Sequence, residues 1–399
     1  MKKLGNEQIL IYIIFFLNMI MAAYKLIAAT VIKGDSVLWN IGIALSMVCL
    51  YGVYKWYRFD KFHLEILILL SMIPMAYILS CYILGDQIKV YFPYLAEDTG
   101  RIASLLIFIA VIDLFLYIDC QDKVRSYFYI AVAVLDYVCM ALNDLKVSQW
   151  ILLGVFIAYP IMLRPIASKV KKIMMMCLIY MLILSNMCLI TNYTDIFRVA
   201  PTLDLEHSLN IDLVIAVGGY IFFKYWDRIP EDIDLNALVM RRFHKVLKMI
   251  LTAYIGAFVL LMAGGSYWTQ LKDTMGMEFI KGFGIPLAES VSRLRNGLFV
   301  LADQCGIVTV SLYALLLIVF INKARRNMGF DKSTTIVFSM LFGVYLIEIM
   351  FWMPGIACNM LYTGAMAMAA GYIEKYKHVE SFGVRFEIKE KEENGKNIT

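Results

Sequence analysis

Apolar runs of roughly 17–25 residues recur along the whole chain, each long enough to cross a bilayer core of about 30 Å. Inside a bilayer the backbone must satisfy its own polar groups, so runs of this kind fold as helices. The expected fold class is therefore all-α: a polytopic membrane protein with about twelve transmembrane helices. The expected spans are 8–30, 37–57, 64–85, 102–118, 126–142, 150–166, 173–191, 211–226, 246–264, 298–321, 335–351 and 359–373. Composition agrees, because 61% of the residues are hydrophobic against about 45–50% apolar in a soluble domain. No stretch between spans is long enough for a separate soluble domain. The expectation is one membrane domain over 1–373 and a charged, weakly ordered tail over 374–399. The apolar stretch within Met1–Thr30 is too long for a cleaved signal peptide and is read as the first span.

Positive charge orients the chain, since Lys and Arg collect in cytoplasmic loops near the membrane. With the N-terminus inside, 23 of the 37 basic residues fall in cytoplasmic segments near the membrane, and nine fall outside. The reading is a multi-pass protein of the cell membrane with both termini cytoplasmic. The net charge of +5 then needs no nucleic-acid partner, because most of it is topology signal. Asp227–Lys245 is read as a cytoplasmic connector, an interfacial helix with a basic end. The eight cysteines include no Cys-x-x-Cys, and most lie within spans, so they are read as small apolar core residues. Asp113, Asp136 and Glu348 lie within spans, where ionisable residues are costly and face an interior. They either line a polar cavity or hydrogen-bond neighbouring helices.

One outer segment departs from the charge rule. The loop 265–297 between spans 9 and 10 is the longest outer loop and holds four of the nine outside cations: Lys272, Lys281, Arg293 and Arg295. Its Tyr267, Trp268, Met275, Met277 and Phe279 suit the membrane interface, so a short helix folded back on the outer surface is expected. Gly282 and Gly284 permit a sharp turn, and Pro286 suits the start of another short helix. On that helix Glu289 and Arg293 are four apart and share a face. Two readings stand here. In one, Glu289–Arg293 is a surface ion pair and Arg295 snorkels at a helix end. In the other the cations form an anion site, because the arginine fork matches phosphate oxygens.

Arg295-Asn296, nine further residues and then Gly306-Ile307-Val308-Thr309 resemble the motif of the O-antigen ligase and O-antigen polymerase superfamily. That pattern is His, then Asn, Ser or Gln, nine variable residues and Gly-x-x-Gly. Lys281-Gly282-Phe283-Gly284 resembles the superfamily's upstream Gly-x-Gly, and Asp303 falls where many members carry an acidic residue. The local likeness covers about 265–326, and elsewhere only the span layout is similar. Two positions depart: Arg295 stands for the histidine, and Thr309 for the second glycine.

The resemblance implies a GT-C-like membrane glycosyltransferase, a polysaccharide polymerase or ligase, working at the outer face. Its substrate would be a glycan linked to undecaprenyl diphosphate, and its product a capsule, exopolysaccharide or O-antigen-like polymer. A flippase and a chain-length regulator are the partners such a role implies. The resemblance puts Arg293, Arg295, Glu289 and Asp303 in the catalytic centre, with Arg198, Lys281, Gly282, Gly284 and Asn296 binding diphosphate. Arginine stays protonated and cannot be a general base. That favours a polymerase or a diverged glycan transferase over a strict ligase and leaves the general base unassigned, with Glu289 and Asp303 as candidates. Fixed cations can stabilise the leaving diphosphate without a metal, so no metal and no cofactor is expected. The rival readings are a flippase or transporter of the lipid-linked unit and an outer-face acyltransferase, which would want a catalytic histidine near an outer loop, a role for which His207 is a poor candidate. The first predicts paired broken helices, and the sequence has no matching internal repeat.

Overall fold

The computed structural model describes residues 6–31, 36–56, 61–84, 99–142, 146–162, 167–193, 205–226, 307–327, 332–349 and 358–371, with the single residues 228 and 249. The described residues are all helical apart from short turns. The helices are α1 (Asn6–Val31), α2 (Ser36–Lys55), α3 (Lys61–Leu84), α4 (Thr99–Asp119), α5 (Lys123–Leu142), α6 (Lys146–Met162), α7 (Ala167–Tyr193), α8 (Leu205–Trp226), α9 (Ile307–Asn327), α10 (Lys332–Glu348) and α11 (358–371). Described helices overlap eleven of the twelve expected apolar runs; 298–306 of the tenth run lies outside the described residues, as does 246–264 apart from Met249.

Four of these helices are long and apolar enough to cross a membrane among the described residues: Lys61–Ser80, Ile102–Asp119, Lys123–Leu142 and Ala167–Met187. Shorter apolar stretches lie at Ile9–Ile20, Ser148–Pro160 and Val337–Glu348. Large apolar side chains remain exposed along α3, among them Leu69, Leu70 and Ile73, and along α8, among them Leu213, Val214 and Val217. Apolar surface on this scale suits a lipid environment rather than water.

The chain divides into two compact units. The first comprises Met1–Asp60, Ile280–Gly343 and Asn359–Thr399, and the second Lys61–Phe279 and Val344–Cys358. In the first, α1 packs on α2 and on α9. Ile11, Ile14 and Asn18 form its buried stripe, spaced three and four apart as one helix face requires. Tyr54 of α2 stacks on Phe320 of α9, with ring centroids 5.4 Å apart.

In the second unit α4 is the central helix and packs on α3, α5, α6 and α7. Nearly every side chain from Ile102 to Ile118 is buried, as an all-round apolar helix demands of its neighbours. A three-residue turn joins α4 to α5. Asp122 caps α5, its carboxylate accepting from the Val124 N–H at 3.0 Å and its carbonyl from the Ser126 N–H at 2.9 Å. At the far edge α8 packs on α7.

Gly219 sits on the α7–α8 contact. A Cβ added there would meet Leu178 Cδ1 at 3.4 Å. Gly219→Ala should therefore be neutral or slightly stabilising, since the Leu178 tip can give and alanine favours the helix by up to about 1 kcal/mol. Gly219→Leu should destabilise by about 1–3 kcal/mol through overpacking. Thermal unfolding of both variants in detergent checks the contrast.

Candidate functional site

The residues that carry the sequence reading are Arg198, Lys281, Gly282, Gly284, Glu289, Arg293, Arg295, Asn296 and Asp303, and all of them lie outside the described residues. So does the whole of 265–297. The described backbone resumes at Ile307, immediately after Gly306, as the first residue of α9.

Two other groups of charged side chains are described, both in the second unit. The first gathers at one end of the bundle, where α3 and α7 begin and α4 ends. The Asp119 carboxylate receives Lys61 Nζ at 2.8 Å on one oxygen and Lys169 Nζ at 2.9 Å on the other. Lys172 Nζ donates to the carbonyls of Tyr117 (3.1 Å), Ile118 (3.3 Å) and Cys120 (2.5 Å). These carbonyls are among the acceptors that a helix C-terminus leaves without an internal partner, and a cation suits the negative end of the helix dipole. Beside them, Glu65 of α3 accepts from the Tyr129 hydroxyl at 2.8 Å and pairs with Arg125 at 3.4 Å. Lys61 of α3, Lys169 and Lys172 of α7 and Arg125 of α5 are thus committed to one end of the bundle. The basic residues counted as topology signal also clamp α3, α4, α5 and α7 together.

Asp119→Ala would strand Lys169, whose side chain is 27% exposed, and release the half-exposed Lys61. Each charge-assisted bond is worth about 1.5–3 kcal/mol at most, and solvent screening reduces the Lys61 share. The expected loss is about 1–2 kcal/mol, smaller at high salt, read from denaturation in detergent at two ionic strengths.

The second group lies deeper. Asp113 on α4 is 1% exposed and Asp136 on α5 is fully buried. None of their four carboxyl oxygens has a hydrogen-bond partner among the described residues. Tyr137, Phe156 and Tyr180 form an aromatic knot across α5, α6 and α7, with centroids 5.1–6.3 Å apart. Glu348, the third in-span carboxyl singled out from sequence, is also buried.

The pairing of Asp119 with Lys61 and Lys169 and that of Glu65 with Tyr129 were not anticipated. The only signal was an acidic residue at the edge of an apolar run, which hydropathy treats as loop. In the first unit, Lys323 is buried at the end of α9 and donates to the Tyr54 hydroxyl at 2.5 Å, with its ammonium 5.0 Å from that ring. Lys55 reaches the hydroxyls of Tyr12 and Tyr51 at 3.3 and 3.2 Å.

Compared with known proteins, the chain matches no family model, no curated protein and no solved structure.

Proposed function

We propose that the chain is a multi-pass membrane protein of about twelve spans with both termini in the cytoplasm, acting as a polysaccharide polymerase on its outer face. One observation carries the proposal: Lys281, Arg293 and Arg295 are concentrated in the outer segment 265–297, with nine residues between Asn296 and Gly306. The helical architecture, with four helices able to cross a bilayer, supports the membrane part. So does the meeting of the basic ends of α3 and α7 with the end of α4, since the charge alternation assigns these three ends to the same side.

In the proposed reaction an acceptor sugar hydroxyl attacks the anomeric carbon of a glycan held on undecaprenyl diphosphate. The new glycosidic bond forms as the bond from that carbon to the phosphate oxygen breaks, and undecaprenyl diphosphate leaves with the electron pair. Arg295 and Arg293 face the charge that develops on the diphosphate, and fixed cations are most effective where charge appears in the transition state. The hydroxyl proton passes to Glu289 or Asp303, because arginine cannot accept it.

A flippase for the same lipid-linked unit is the second reading, and one observation favours it: the buried carboxyls Asp113 and Asp136, which polar transport pathways also use. A deletion strain separates the two. Single lipid-linked units accumulating on the outer leaflet support the polymerase; accumulation on the inner leaflet supports the flippase.

A further inference from the structure

The strongest unassigned feature is the pair Asp113 and Asp136 inside the helices of the second unit. Each is more than nine-tenths buried, each lacks a hydrogen-bond partner among the described residues, and they sit on packed neighbours, α4 and α5. An ionised carboxylate in such surroundings costs far more than an apolar residue unless a positive charge accompanies it.

The described cationic groups on the packed elements are occupied elsewhere or, like Lys123 at the start of α5 and His63 at the start of α3, exposed. Lys61 and Lys169 hold Asp119, Lys172 holds the last carbonyls of α4, and Arg125 pairs with Glu65 and Asp122. Lys171 lies over the Phe223 ring of α8. The other titratable groups on these elements include Glu65 on α3, Tyr137 and Cys139 on α5, Tyr159 on α6, and Cys177 and Tyr180 on α7. Glu65 is held by Tyr129, and the Cys139 thiol donates to the Met75 carbonyl. None of these carries positive charge.

Geometry narrows the ligand. Asp113 lies six residues from the α4 end at Asp119, about 9 Å of helix. Asp136 lies thirteen residues beyond the α5 start at Lys123, about 20 Å. The short turn between them makes the helices antiparallel, so the carboxyls stand at levels about 10 Å apart along the bundle. A metal cation draws several oxygens to one point, whereas a proton needs one oxygen at a time.

We propose that Asp113 and Asp136 are proton-binding sites at two depths of the second unit, with the proton itself as ligand. Each carboxylate takes up one proton to become a neutral acid, and no other bond changes. The sites are independent of the outer-face chemistry and hold under either reading of the function.

The test is infrared spectroscopy of the full chain in detergent at neutral pH, on wild type, Asp113→Asn, Asp136→Asn and the double variant. The expected result is a protonated-carboxyl carbonyl band that each single variant diminishes and the double variant diminishes further, unaffected by sodium; any remainder in the double variant belongs to other buried carboxyls such as Glu348. Asparagine closely matches the neutral acid in shape, so all three variants should also unfold within a few degrees of wild type. Absence of the band overturns the proposal, as does a band that the double variant leaves undiminished or one that sodium displaces. A double variant that does not fold overturns it too, because a neutral isostere would then fail to replace a neutral acid.

Discussion

Arg295→Ala is expected to cut surface polymer about 100- to 1000-fold, the loss that follows when one preorganised donor to a developing anion is removed. The variant should still reach the membrane in normal amount, because a cation at a helix edge contributes little to folding. Arg295→Lys should recover only part of the activity. Lysine restores the charge but not the fork that holds two phosphate oxygens at once. Arg293→Ala should lose less, since Glu289 on the same expected helix face already neutralises part of that charge. Gel analysis of the surface polymer in strains carrying each variant reads both amount and length. Polymer of normal length and amount in the Arg295→Ala strain contradicts the assignment.

Tyr137→Ala is expected to be the most destabilising single change in the described part of the chain. The Tyr137 ring is fully enclosed and lies edge-on to Tyr180 of α7 at 5.1 Å and to Phe156 of α6 at 6.3 Å. Truncation leaves a cavity where three helices meet. Aromatic-to-alanine changes in a close-packed core cost about 3–5 kcal/mol. In a bilayer the loss falls on packing contacts rather than on a hydrophobic driving force, because lipid is as apolar as the core. Tyr137→Phe keeps the volume and should cost far less. Unfolding in mixed micelles compares the two; an alanine variant as stable as wild type would show that the knot does not hold α5, α6 and α7 together.

The helices were the most legible part of the fold, because a bilayer-length apolar run leaves a chain little choice of backbone. The ends were less so, for reasons that individual residues supply. For the expected run 150–166, residues 163–166 lie outside the described residues. α9 runs on to Asn327, past the expected 321, because Lys323 and Ala324 are buried although hydropathy marks that stretch as loop. α7 begins at Ala167 rather than 173, so that Lys169 and Lys172 can reach α4. Hydropathy reads a lysine as the end of a span, whereas its long apolar stem lets it continue the helix while its head finds a partner.

Pairing was the illegible part. Sequence placed Asp113 and Asp136 inside spans, but their burial, with no hydrogen-bond partner among the described residues, depends on how α4, α5 and α7 pack. Asp119 drew no notice, because its partners come from positions 58 and 50 residues away. The cation-rich segment 265–297 was legible only as chemistry: the arginine fork, the glycine turn and the spacing from Asn296 to Gly306.

The most direct test of the central claim uses the purified full chain in liposomes, supplied with undecaprenyl-diphosphate oligosaccharide on the outward-facing side. The account predicts glycan chains longer than the starting unit and release of undecaprenyl diphosphate, with both lost in Arg295→Ala. Unit-length glycan that crosses the bilayer without forming a bond, or is left unchanged, would contradict it.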